Sequence, residues 1–220
     1  MRSLADAGET EAMALYGQLL LDGDGVARDE RAALGWFTRA AAQHHLMALN
    51  MVGRCYDLGW GTPVDKGRAA ECYRIAAGRG LDWAMYNYAT LLALGDGVAE
   101  DKAAALGLFE QVAGGEGLAA PKAANYVGSF AEDGWAGPVD MAKAAHWYAR
   151  AAAGGDFRGC FNHARLLGAG GRVDEALPWL EQAAKLGNPR FVRQVADWLA
   201  RSDVPRFATD GLAALRRGQC

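Results

Sequence analysis

The chain has 220 residues, 51% of them hydrophobic, with 29 Gly and only 6 Pro. That length allows one or two ordinary domains with a sizeable core, and the composition excludes a low-complexity chain. A net charge of −3 argues against non-specific nucleic-acid binding by the whole protein.

Charge is unevenly spread. Ten basic and six acidic side chains lie between Phe157 and Cys220, which leaves −7 on residues 1–156. The opening Met1–Glu11 lacks the apolar run of a signal peptide, and no stretch reaches the roughly 18 apolar residues of a membrane span. A cytoplasmic location with reduced thiols is therefore expected, or a secreted or periplasmic one if a leader has been removed. The cysteines at 55, 72, 160 and 220 form no Cys-x-x-Cys pair, so neither a zinc site nor a redox motif is indicated.

In chain order, an Ala-rich apolar segment at 9–22 reads as a helix that stops at Gly23, a residue suited to the left-handed C-cap. The loop Leu21-Asp-Gly-Asp-Gly-Val-Ala-Arg-Asp29 follows. Asp29 then caps a second helix, placed at 30–43, and favours its dipole. The pattern returns. Helices are expected at 46–58, 82–94, 121–133, 157–168 and 189–201 (the A helices), and at 66–79, 102–113, 141–153 and 175–186 (the B helices). The joining loops repeat Gly59, Gly61 and Asp65; Gly95, Gly97 and Asp101; and Gly134, Gly137 and Asp140. First loop glycines at 23, 59, 95, 134 and 170 step by 36, 36, 39 and 36 residues, the signature of a solenoid of supersecondary units. Each B helix carries a large pair followed by a small one, as in Trp36-Phe37 with Ala40-Ala41. One solenoid domain is expected, with repeats at about 8–43, 44–79, 80–118, 119–154 and 155–186, and capping helices over 187–220. Val204, Phe207, Leu212 and Leu215 are spaced for an amphipathic last helix.

Two places break the rhythm. The join Gly114–Pro121 is three residues longer than the others, read either as a tolerated surface insertion or as a hinge. Repeat five has a shorter inner loop, and Pro178 is expected in the first turn of its helix, where few backbone bonds are lost.

The pattern Leu-Gly-Asp-Gly-Val-(x)2-Asp-(x)2-Ala-Ala, followed by an aromatic pair and then Ala-Ala-x-Gly, resembles the Sel1-like repeat (SLR), a relative of the tetratricopeptide repeat. The resemblance spans about residues 5–187. It implies an all-α, right-handed superhelix of antiparallel helix pairs, an α-solenoid acting as a non-catalytic scaffold or adaptor for proteins.

The A helices align on Gly17, Gly53, Ala89, Gly128 and Ala164, a column of small packing residues. Columns two residues before, one after and six before this one form a mixed stripe. In related solenoids the A helices line the concave face. A partner-binding groove is therefore expected from Met47, Met51, Arg54, Trp83, Asn87, Tyr126, Ser129, Arg158, Asn162 and Arg165. Met, aromatic and Arg side chains supply interface anchors, and Asn amides can hold an extended peptide backbone. Arg190, Arg193 and Arg201 extend the basic end and suit an acidic segment.

No catalytic set, metal site or cofactor motif stands out. Asp22-Gly-Asp24-Gly fails as a calcium loop, because Val26 holds the fifth position and no suitably placed Glu closes it. Cys160 and His163 share a helix, but Cys160 falls in an apolar column with Met13, Leu49 and Met85. Cys55 and Cys72 are read as thiols. The expected protein is a monomeric adaptor for a protein or peptide, without nucleic-acid or membrane partners. The alternatives are a hydrolase on a helical-repeat scaffold and a self-assembling structural protein.

Overall fold

A computed structural model of the protein describes residues 1–219; Cys220, expected to be an exposed thiol, lies outside them. The described residues form thirteen helices and no strand. These are α1 (Arg2–Asp6), α2 (Thr10–Asp22), α3 (Glu30–Ala42), α4 (Leu46–Leu58), α5 (Lys66–Ala77), α6 (Asp82–Leu94) and α7 (Lys102–Gly114). They continue with α8 (Ala120–Asp133), α9 (Met141–Ala153), α10 (Phe157–Ala169), α11 (Val173–Leu186), α12 (Pro189–Leu199) and α13 (Pro205–Arg217). The chain divides into two compact units, Met1–Leu108 and Phe109–Cys220, the division falling within α7.

In the first unit α2 packs on α3, α3 on α4, α4 on α5 and α5 on α6; in the second, α8 packs on α9, α9 on α10, and α10 on α11. Small residues make this possible. A Cβ at Gly17, Gly53 or Gly128 would lie 2.8, 2.6 or 2.6 Å from the rings of Phe37, Tyr73 and Tyr148. Those three rings are buried against the A helix beside them, so each pair closes to the separation that only a missing side chain allows.

The loops both end the helices and stack the repeats. Asp29, Asp65 and Asp140 accept from the third backbone N–H of their helices at 2.9 Å, and Asp101 accepts from Ala104 N at the same distance. In the third loop Gly95 and Gly97 take φ of 66° and 75°, the left-handed region. Gly97 also lies directly on the start of α5: a Cβ there would come within 2.4 Å of the Lys66 carbonyl carbon. Gly61 sits in the same way over Glu30 at the start of α3 and donates its N–H to Glu30 Oε2 at 3.2 Å. The fourth loop differs, since only Gly134 is left-handed and Gly137 is not.

Several local features depart from expectation. Helix α1, too short to show a period, packs on α2. His45 caps α4: its Nδ1 accepts from Ala48 N at 3.0 Å. Helix α11 begins at Val173, two residues early, because Val173 is drawn into the core. Pro178 consequently stands inside the helix rather than in its first turn. Its ring is exposed, so the carbonyl freed at Asp174 can turn to water. Cys55, Cys72 and Cys160 are free thiols.

Candidate interaction face

The A helices bring side-chain amides together in each unit. In the first, Asn87 Nδ2 donates to Asn50 Oδ1 at 2.9 Å, and Asn50 Nδ2 lies 3.9 Å from Met47 Sδ. In the second, Asn162 Nδ2 donates to Asn125 Oδ1, also at 2.9 Å. Both pairs are separated by 37 residues. Asn50 and Asn125 are 2% and 7% exposed, whereas Asn87 and Asn162 are half-buried. The inner amide of each pair is a packing group, and the outer one is offered to solvent with its carbonyl unspent. Sequence columns had selected Asn87 and Asn162 but missed Asn50 and Asn125; the 37-residue spacing was the available signal.

The other residues of the expected groove differ in exposure and in what they touch. Met47 is 38% exposed, but Met51 is 6% exposed and belongs to the core. Met51 therefore packs into the core of the first unit, while Met47 on the same helix keeps an exposed side chain. The Arg54 guanidinium lies 4.8 Å over the Trp60 ring. Trp83 meets Tyr86 edge-on at 6.1 Å. The Tyr126 ring is stacked flat on Phe109 at 4.6 Å. Arg158 is exposed, its guanidinium 4.5 Å over Phe157. Phe191 on α12 touches Phe157 and Phe161 on α10, and Trp198 touches Phe161, so half-buried aromatic rings bridge these two helices. Arg190 and Arg193 are exposed beside them. Arg201, just past the end of α12, donates to the Asp197 carbonyl.

A polar network backs this face in the second unit. Arg165 Nη2 meets Glu132 Oε2 at 2.5 Å, and Tyr148 OH donates to the same oxygen at 2.7 Å. Ser129 Oγ lies 3.2 Å from the Tyr148 phenol oxygen. Burial by itself would raise the Glu132 carboxyl, but Arg165 and Tyr148 together hold it below its ordinary value. A carboxyl depressed in the folded state contributes stability above its unfolded pKa and loses it as pH falls through the folded value. Thermal unfolding across acid pH is therefore expected to show the native protein losing stability faster than Glu132→Gln; parallel pH profiles would remove Glu132 from the acid response. The first unit has a related arrangement, in which Tyr73 OH donates to Asp57 at 3.2 Å and Lys66 bridges Asp57 and Asp96 at 2.5 and 3.1 Å. Burial, then the Asp57 charge, pushes the Tyr73 phenol up.

The Cys160–His163 pair does not form an activated nucleophile. Burial pushes the Cys160 thiol up to about 11, and its Sγ lies 3.7 Å from the Ala152 carbonyl oxygen. His163 packs edge-on against Trp179 at 5.4 Å, with burial pulling its pKa down. Cys55 is likewise pushed up to about 11 by burial. Among the described residues, no group of three or more His, Cys, Asp or Glu could hold a metal, and no helix is long and apolar enough to cross a membrane.

Antiparallel helix pairs joined by a recurring Gly-and-Asp turn, with glycines where Phe37, Tyr73 and Tyr148 press on the A helices, define a helical-repeat protein of the α-solenoid class. Residues 10–45, 46–81, 84–113, 121–156 and 158–188 each match the Sel1 repeat. The chain belongs to the Sel1 repeat family, whose members are generally protein-interaction scaffolds. Its fold is similar to the crystal structure of a Sel1 repeat protein from Oxalobacter formigenes, with 24% identity, 97% of this chain and 89% of that one covered, and a TM-score of 0.78. It is also similar to a protective antigen of uropathogenic Escherichia coli that displays an SLR fold, at 25% identity and a TM-score of 0.72; the match covers 99% of this chain and 47% of the antigen's. An immunity protein from Pseudomonas aeruginosa shares the fold at 15% identity and a TM-score of 0.62, over 92% of this chain and 75% of that one. No curated protein matches the sequence at a significant level.

Proposed function

We propose that this protein is a non-catalytic, monomeric adaptor that holds an extended peptide or protein segment against the A helices. The observation that carries this reading is the repeated asparagine pair. Asn87 and Asn162 are each fixed by one hydrogen bond to a buried neighbour, and each keeps a carbonyl free to accept a peptide N–H. Met47 and Trp83 on A helices of the first unit and Tyr126 on an A helix of the second would serve as apolar anchors, and Ser129 and Arg165 order the second unit's face through the Glu132 network. Within the second unit, Arg158, Arg190 and Arg193 make no ion pair among the described residues, and they suit an acidic part of the bound segment.

The test begins with a partner captured from host extract and identified by mass spectrometry. Trp83→Ala and Asn87→Ala are each expected to weaken that partner by roughly tenfold or more, the scale of interface hot spots. Exposed Glu100→Ala, outside the face, should leave affinity unchanged. Undiminished affinity in both Trp83→Ala and Asn87→Ala would eliminate this face.

A further inference from the structure

We infer that Arg54 is a receptor for a carboxylate of the bound segment, an Asp or Glu side chain; this rests on the A-helix face being the binding face. Two repeats of the same chain differ in what faces the arginine at this position. Arg165 stands one residue after the packing position Ala164, and it is neutralised by Glu132, four residues after the packing position Gly128 of the preceding repeat. Arg54 holds the same place, one residue after Gly53, but four residues after Gly17 stands Leu21. The carboxylate that Arg165 finds within its unit is replaced by an apolar side chain where Arg54 would need it. Arg54 accordingly makes no ion pair among the described residues, and its Nη1 lies 3.8 Å from Met51 Sδ, a weak acceptor.

The guanidinium is also prepared for a ligand. It is half-buried and held over Trp60, which fixes its plane while leaving N–H donors unspent. A recess of about 280 Å³ opens beside it, lined by Gln18, Leu21, Asp22, Arg28, Arg54 and Trp60. Of the other charged side chains lining the recess, Arg28 is ion-paired and Asp22 is held by a neutral amide. Arg28 pairs with Glu30 at 2.6 Å, and Asp22 accepts from Gln18 Nε2 at 2.7 Å without coming within ion-pair distance of Arg54. A carboxylate seated in the recess would meet a fork of donors in the geometry that favours bidentate pairing.

The test follows the arginine Nε–Hε resonances of the whole 15N-labelled protein while acetylated hexaglutamate amide is added. Arg54→Lys and Arg165→Lys assign the two signals. The Arg54 signal is expected to shift saturably, and the Arg165 signal to stay in place. Glu132→Gln removes the internal carboxylate charge and should make Arg165 respond as Arg54 does. A silent Arg54, an equal response from Arg165 in the native protein, or the same Arg54 shift with acetylated hexaglutamine amide would each overturn the inference. Because no natural partner is used, failure here is distinct from failure of the binding face: a partner weakened by Asn87→Ala while Arg54 ignores hexaglutamate leaves the face standing and removes only the carboxylate.

Discussion

Gly97→Ala is expected to lower the free energy of unfolding by about 3 kcal/mol, and Gly25→Ala by only about 1 kcal/mol. Both residues are the second glycine of a Gly-x-Gly turn, and their φ values are close, 75° and 67°. The cost of forcing an L-residue into the left-handed region is thus common to both. What differs is the floor beneath the loop. At Gly97 an added Cβ would lie 2.4 Å from the Lys66 carbonyl carbon and 2.7 Å from Gly67 N, whereas at Gly25 it would meet nothing within 4 Å. The obstacle at Gly97 is backbone, and the start of α5 cannot rotate out of the way as a side-chain tip could. The repeat stack must open at that point or the loop must distort. The clash accounts for the difference, because overpacking a close contact costs about 1–3 kcal/mol. Urea denaturation of the two variants beside the native protein measures it. Equal losses would show that the second glycine serves only the turn and not the stacking of one repeat on the next.

The turn was legible because its chemistry is local. Gly95, Gly97 and Asp101 do their work within seven positions, and a period near 36 made each copy confirm the last. The small-residue column was legible for a related reason: Gly17, Gly53 and Gly128 mark where helices touch, and nothing larger fits against Phe37, Tyr73 and Tyr148. The contacts that build the face were not legible in the same way, because neighbouring repeats meet diagonally. Asn50 stands three residues before its packing position and Asn87 two before its own, so comparing equal offsets separates two residues that share a hydrogen bond. Arg165 and Glu132 are offset in the same manner. The burial of Met51 was hidden for want of this diagonal, as its column also holds the half-buried Asn87 and Asn162. The start of α11 was hidden because Arg172 supplies no side-chain cap. There burial of Val173, a tertiary effect, extends the helix past the point that Pro178 had suggested.

Phe207→Ala should be the most damaging single substitution in the second unit, with a loss of about 4 kcal/mol. Phe207 is fully buried on α13, although it is flanked by exposed Arg206 and half-exposed Ala208. Its ring repeats, at the C-terminal end, the contact that closes the earlier helix pairs. A Cβ at Gly168 of α10 would lie 2.4 Å from the Phe207 ring, just as Gly128 is shaped to Tyr148. Helix α13 also packs on α11 and α12, so Phe207 ties α10 to the helices that cover the end of the stack. Removing the ring leaves a cavity bounded by Gly168, which has no side chain to fill it, and by Trp198, 6.2 Å away. Trp198 cannot collapse inward without loosening its contact with Phe161 at 5.4 Å. The loss should therefore reach the aromatic surface between α10 and α12, where Arg158, Arg190 and Arg193 stand. Chemical denaturation followed by tryptophan fluorescence reports both effects, since Trp198 senses the cavity directly. Phe207→Leu, which keeps most of the volume, should retain more than half of the lost stability. A Phe207→Ala variant within about 1 kcal/mol of the native protein would mean that α13 is a loose appendage and that the stack ends at α11.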